Sequence, residues 1–149
     1  LETAALIGGE ESGGYAFRGH VPERDGILAG LYFLDLMAKT GMTPSQLIDY
    51  LPSKVGVHYY QRSDLRFSEA EQKTVNERVR SFSPESLAGV KVVGSDTKDG
   101  FRFTLADNSW LLIRFSQTEP LLRLYAESGS QERVEKLLSL AQELVRAGN

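Results

Sequence analysis

The apolar positions follow two different patterns, and the change comes near residue 52. In the first stretch, Ile27, Leu28, Leu31, Tyr32, Phe33, Leu34, Leu36 and Met37 cover most of a helical circumference, which predicts a helix over 26–40 buried in a larger assembly. Asp25 is placed to cap its start, and Gly41 suits the left-handed residue just past its end. Thr43-Pro44-Ser45-Gln46 supplies an N-cap, a proline at the first helical position and a glutamine at the third, so a second helix starts there and stops before Pro52. Residues 4–8, AALIG, predict a short buried strand. One strand and two helices do not close a layer alone, so residues 1–52 are expected to be the tail end of an α/β domain. Residues 53–56 then read as a linker.

From residue 57 the pattern alternates. Val57-His58-Tyr59-Tyr60 predicts a strand, with His58 an ordinary strand side chain. Ser68-x-x-Glu71 reads as a capping box opening a helix to about Phe82, with Val75, Val79 and Phe82 as its apolar stripe. Val90 to Val93 is a short strand, and Lys98-Asp99-Gly100 a tight turn. Phe101, Phe103 and Leu105 alternate with Arg102 and Thr104, the mark of a half-buried strand. Asp107-Asn108 turns the chain into two apolar runs, Trp110 to Phe115 and Leu121 to Ala126. Ser130 then opens a helix with Val134, Leu137, Leu138, Ala141, Leu144 and Val145 on one face. The order β-α-β-β-β-β-α implies an antiparallel sheet covered by helices, so residues 57–149 are expected to form an α+β domain.

Composition narrows the field. The 149 residues are 41% hydrophobic and 25% charged, as in an ordinary globular protein. A net charge of −3 argues against a nucleic-acid partner. Without cysteine there is no disulfide framework and no thiolate chemistry, which suits a cytoplasmic location. The longest apolar stretch, near Ile27 to Ala38, is broken by Gly30 and Asp35 and is too short for a membrane span, and no signal peptide is visible. The first residue is Leu1 rather than Met, and a fragment of a longer chain is expected.

The candidate chemistry lies between the last two strands. Arg114 and Arg123 bracket Ser116-Gln117-Thr118-Glu119-Pro120. Guanidinium groups bind phosphate bidentately, and hydroxyls and loop amides add neutral donors. On composition alone an ordinary hairpin is the simpler reading, with Arg123 paired to Glu119 or Glu127. The order of residues points further. Arg114-Phe115-Ser116-Gln117-Thr118-Glu119-Pro120 followed by Leu-Leu-Arg-Leu-Tyr resembles the phosphate-binding loop of the α-D-phosphohexomutases, the phosphoglucomutase and phosphomannomutase enzymes. The resemblance implies that Arg114, Ser116, Gln117, Thr118 and Arg123 hold the non-reacting phosphate of a hexose phosphate. Gln117 stands where the family usually has Gly or Asn.

Two further stretches carry the same resemblance. GGEESGG, residues 8–14, resembles the family's sugar-binding loop, which implies sugar-hydroxyl contacts for Glu10 and Ser12. Glu at position 11 is typical of the glucose-type members. Arg18-Gly19-His20-Val21-Pro22-Glu23-Arg24-Asp25-Gly26 resembles the loop that ends in Lys-Asp-Gly and approaches the reactive phosphate. Arg24 keeps the charge of that lysine but stays protonated, so it does not move a proton. His20 reads equally as an active-site donor or a surface histidine; with Arg24 it is an auxiliary candidate.

The resemblance covers essentially the whole chain. It implies that residues 1–52 are the C-terminal part of the third, sugar-binding α/β domain, and 57–149 the C-terminal phosphate-binding domain. The implied parent is an isomerase that moves a phosphoryl group between O1 and O6 of a hexose through a phosphoserine and a bisphosphate intermediate. It would use magnesium as cofactor and a hexose 1,6-bisphosphate as activator. No Thr-Ala-Ser-His-Asn-Pro-like phosphoserine loop and no Asp-x-Asp-x-Asp metal motif occurs here, so magnesium ligands are not expected in this stretch. The stretch alone is expected to be inactive, with Ser12 and Ser116 as binding residues rather than nucleophiles. The expected partners are a hexose phosphate and upstream domains of the same chain, with no nucleic acid and no membrane. Self-association through the incomplete first domain is a further option. The alternative reading is a free-standing, non-catalytic module that binds phosphorylated ligands.

Overall fold

The computed structural model describes residues 4–10, 13–68, 70–116 and 119–146. The chain divides into two compact units, Leu1–Lys54 and Val55–Asn149.

In the first unit, β1 (Ile7–Gly9) and β2 (Tyr15–Phe17) form a two-stranded antiparallel hairpin with Ile7 opposite Phe17. The strand expected to be buried is exposed instead, with Ile7 at 57%. Two three-residue strands offer too little surface to cover each other. Helix α1 (Gly26–Thr40) starts as its sequence dictates: Asp25 accepts from the Leu28 amide at 2.9 Å. It ends at Gly41, whose φ of 67° lets its amide reach the Met37 carbonyl. No residue of α1 is buried within this unit; Tyr32 leans on Phe17, ring centroids 4.8 Å apart. Helix α2 (Pro44–Tyr50) carries both halves of the Thr43/Gln46 capping box and contributes the unit's buried Leu47. The stretch after it differs from expectation. Pro52 opens a further helical turn, α3 (Pro52–Val55), because proline is accepted at a first helical position.

The second unit is an α+β fold built on one six-stranded antiparallel sheet in the order β3-β8-β7-β6-β5-β4. Its strands are β3 (Tyr59–Arg66), β4 (Ser86–Leu87), β5 (Val90–Asp96), β6 (Phe101–Leu105), β7 (Trp110–Phe115) and β8 (Leu121–Ser128). The helices are α4 (Gln72–Ser81) and α5 (Gln131–Arg146). Strand β3 runs six residues beyond the expected end at Tyr60, since Arg62, Asp64 and Arg66 face away from the core while Leu65 packs against it. The expected capping box also shifts. The Glu71 carboxylate accepts from the Ser68 amide and hydroxyl, but the helix begins at Gln72 with no side-chain cap from Glu71. That pairing shapes the turn before the helix instead.

Strand alternation puts Leu111, Ile113, Leu122, Leu124 and Ala126 on one sheet face, all fully buried. They pack with Val75 and Val79 of α4 and Val134, Leu137 and Ala141 of α5. A serine pair, Ser109 donating to Ser128 at 2.9 Å, is the buried polar contact near the α5 end. The opposite face carries Tyr60, Arg62 and Asp64 of β3, Arg123, Tyr125 and Glu127 of β8, and Trp110, Leu112 and Arg114 of β7. On it Arg62 lies 5.8 Å from the Tyr125 ring and Arg102 5.3 Å from the Trp110 ring, arrangements in which a cation meets an aromatic face.

Candidate functional site

Register decides what the two arginines can do. In the β7–β8 ladder Arg114 stands directly opposite Arg123. Both point to the face away from the helices, because their neighbours Ile113, Leu122 and Leu124 fill the core. Like charges directly opposite destabilise a sheet unless a counter-charge offsets them. The acids nearby only partly offset this pair. Asp99 Oδ1 lies 3.1 Å from Arg114 Nε. Asp64 is the cross-strand partner of Arg123 but gives its carboxylate bidentately to Arg62, at 2.7 Å for both bonds. That Arg62 contact holds the Asp64 pKa below the usual carboxylate value, with Arg123 adding a smaller pull. Arg123 Nε is buried and has no hydrogen-bond partner among the described residues, a state that costs free energy until a ligand or solvent reaches it.

The loop is closed at its base. The Ser116 amide donates to the Leu121 carbonyl at 2.8 Å, and the Phe67 amide at the end of β3 donates to the Pro120 carbonyl. Ser116 thus sits within the loop neck beside Arg114. Gln117 and Thr118 lie outside the described residues. The pairings open to Arg123 in the sequence are taken by others: Glu119 pairs with Arg66 at 3.4 Å and Glu127 with His58 at 2.9 Å. His58 is correspondingly not a plain strand side chain. It precedes β3, and its second ring nitrogen lies 3.0 Å from the Val55 carbonyl. Alongside Arg114 an open basin of about 540 Å³ is lined by Arg80, Lys98, Asp99 and Gly100 among others. Sequence reasoning missed Asp99, Arg80 and Lys98 as neighbours of the loop. Lys98-Asp99-Gly100 was visible as a turn, but which strand it would touch depended on the β6–β7 register.

In the first unit the glycine-rich loop and the arginine-containing loop are joined. Arg24 Nη1 donates to Glu10 Oε2 at 2.8 Å, so the Glu10 carboxylate is engaged by a cation. Gly14 leaves room where these meet: a Cβ there would lie 2.4 Å from Arg24 Cδ, so the exposed Arg24 side chain would have to shift. His20 Nε2 lies 2.8 Å from Asp25 Oδ2, while the other Asp25 oxygen caps α1. The Leu28 amide first and His20 second hold the Asp25 pKa below its usual value. Glu11 and Ser12 lie outside the described residues. Among the described residues no group of three or more His, Asp or Glu side chains is placed to hold a metal ion, and no helix is long and apolar enough to cross a membrane.

Comparison with known proteins gives both units a family. Residues 1–55 match the model for phosphoglucomutase/phosphomannomutase alpha/beta/alpha domain III, and residues 67–143 the model for the phosphoglucomutase/phosphomannomutase C-terminal domain. A phosphoglucomutase/phosphomannomutase from Thermococcus kodakarensis is 35% identical over 97% of this chain and 29% of its own length. A phosphoglucosamine mutase from Methanococcus maripaludis is 31% identical over 99% of this chain and 31% of its own. The crystal structure of a phosphoglucomutase/phosphomannomutase family protein from Burkholderia thailandensis has the same fold, with a TM-score of 0.70 and 24% identity over 99% of this chain and 30% of that one. The chain thus spans less than a third of the length of the relatives it matches, and it belongs to the phosphoglucomutase/phosphomannomutase family.

Proposed function

We propose that this chain supplies the sugar- and phosphate-recognition elements of a phosphohexomutase, an isomerase that moves a phosphoryl group within a hexose phosphate. The observation that carries the reading is the Arg114–Arg123 pair, in register on one sheet face, with a buried Arg123 Nε that has no partner among the described residues. A phosphate dianion would relieve the repulsion between the two guanidinium groups and accept the orphaned N–H. Ser116, Gln117 and Thr118 would complete the cradle from the loop. In the first unit, Glu10 would accept sugar hydroxyl protons, with Arg24 holding its carboxylate, and Ser12 would join it. His20 would serve as an auxiliary donor oriented by Asp25.

The chemistry itself needs a phosphorylated nucleophile and a metal site, and neither motif occurs in these 149 residues. Magnesium would supply charge neutralisation at the transferring phosphoryl group in the whole enzyme, and the described residues offer no cluster that fits it. The contribution of this chain is positioning: it would grip whichever phosphate is not reacting, so that both half-reactions use one anchor.

A charge-assisted hydrogen bond contributes roughly 1.5–3 kcal/mol, so Arg114→Ala should weaken phosphate binding by about ten-fold or more. Stability should fall by less than about 1 kcal/mol, because the Arg114–Asp99 pair is an exposed one. The test is a phosphate titration of both proteins followed by amide NMR shifts. Shifts centred on residues 114–123 that vanish in the variant support the reading. Shifts elsewhere, or an unchanged titration in the variant, remove it.

A further inference from the structure

Arg114 already has an anion beside it. Asp99 Oδ1 approaches its Nε to 3.1 Å from the turn between β5 and β6. The approach is built into the backbone. Gly100 has φ of 101°, and a Cβ there would lie 2.7 Å from the Ile113 carbonyl oxygen and 3.2 Å from Arg114 Cα. Only glycine lets the turn lie this close to β7, and the residue before it is thereby delivered to the Arg114 guanidinium. The basin around the contact is cationic, lined by Arg80, Lys98 and Arg114, and Asp99 is the acid among its lining residues. Asp99 itself is 72% exposed, so packing does not explain its position.

We infer that Asp99 is a built-in competitor for the phosphate site at Arg114. Its carboxylate occupies the guanidinium when phosphate is away, and an incoming phosphate must displace it or bind against its charge. The inference rests on the reading of Arg114 as a phosphate ligand. The dianion still wins, because it also meets Arg123, but it binds less tightly than two unopposed arginines would hold it. An anchor that must hold first one end of a sugar bisphosphate and then the other has to release between the two, and an internal carboxylate makes release easier.

The test is a titration with inorganic phosphate at fixed ionic strength and neutral pH, on wild type, Asp99→Asn and Arg114→Ala, read by amide NMR shifts with thermal midpoints as a folding control. Exposed ion pairs shift equilibria by about two- to five-fold. Asp99→Asn should therefore bind phosphate about two- to five-fold more tightly, with the same amides moving. Equal or weaker binding in Asp99→Asn, with binding intact in wild type and lost in Arg114→Ala, overturns the role of Asp99 and leaves the phosphate site standing. Absence of any shift at 114–123 in all three proteins overturns both.

Discussion

A histidine placed between two acceptors satisfies both only as an imidazolium. His58 is in that position, with Nδ1 2.9 Å from a Glu127 carboxylate oxygen and Nε2 3.0 Å from the Val55 carbonyl. The carbonyl first and the carboxylate second raise its pKa above the ordinary 6.5. A raised folded value means that the clasp stabilises fully below pH 6.5 and weakens as pH climbs through the folded value. An NMR titration of the His58 ring should give a midpoint above 6.5, and Glu127→Gln should lower it; a wild-type midpoint at or below 6.5 would contradict the clasp. No reading of the sequence could have found the His58–Glu127 contact, because the two residues lie 69 positions apart in the chain. Asp25 and Gly41 were legible for the opposite reason. A cap bonds within its own turn, and the residue type alone announces it.

At the scale of elements, the helices α1, α2, α4 and α5 and the strands β6, β7 and β8 were legible, whereas β2, β4, α3 and most of β3 were not. Phe101, Phe103 and Leu105 declared β6 by alternation, but β4 has two residues and α3 four, too few to show a period. The Ser68–Glu71 spacing was present and its hydrogen bonds form, but one turn ahead of the helix that it seemed to open. The turn between β5 and β6 bears a prediction of its own. Gly100→Ala combines a left-handed φ with a Cβ placed against the β7 backbone, so the variant should lose about 1–3 kcal/mol. Urea denaturation measures it, and a loss under about 0.5 kcal/mol, the range of an ordinary surface change, would show that the turn relaxes freely.

At the scale of the whole chain, the order of loops identified the family, and the paired arginines needed both strand alternation and the β7–β8 register to share a face. The neighbours of the site needed the sheet order, which no local pattern encodes. The two units also differ in what holds them. The second has a continuous core from Val75 to Val145, whereas Leu47 is the buried residue among those described in the first. Amide exchange follows buried contacts, so β6, β7 and β8 should exchange slowly and β1 and β2 fast. Equal protection in both sets, measured by hydrogen exchange on the isolated chain, would contradict this. The sheet order has a consequence for synthesis. The strand that opens the second unit, β3, pairs along its full length with β8, from Tyr59 with Ser128 to Arg66 with Leu121. On a ribosome β3 emerges early and waits, unpaired, while α4 and four other strands are made. The β5–β6 and β6–β7 hairpins can form as they appear, but the sheet cannot close until β8 is out. The first strand is therefore the last to be joined, and during that interval its edge is open to the wrong partner.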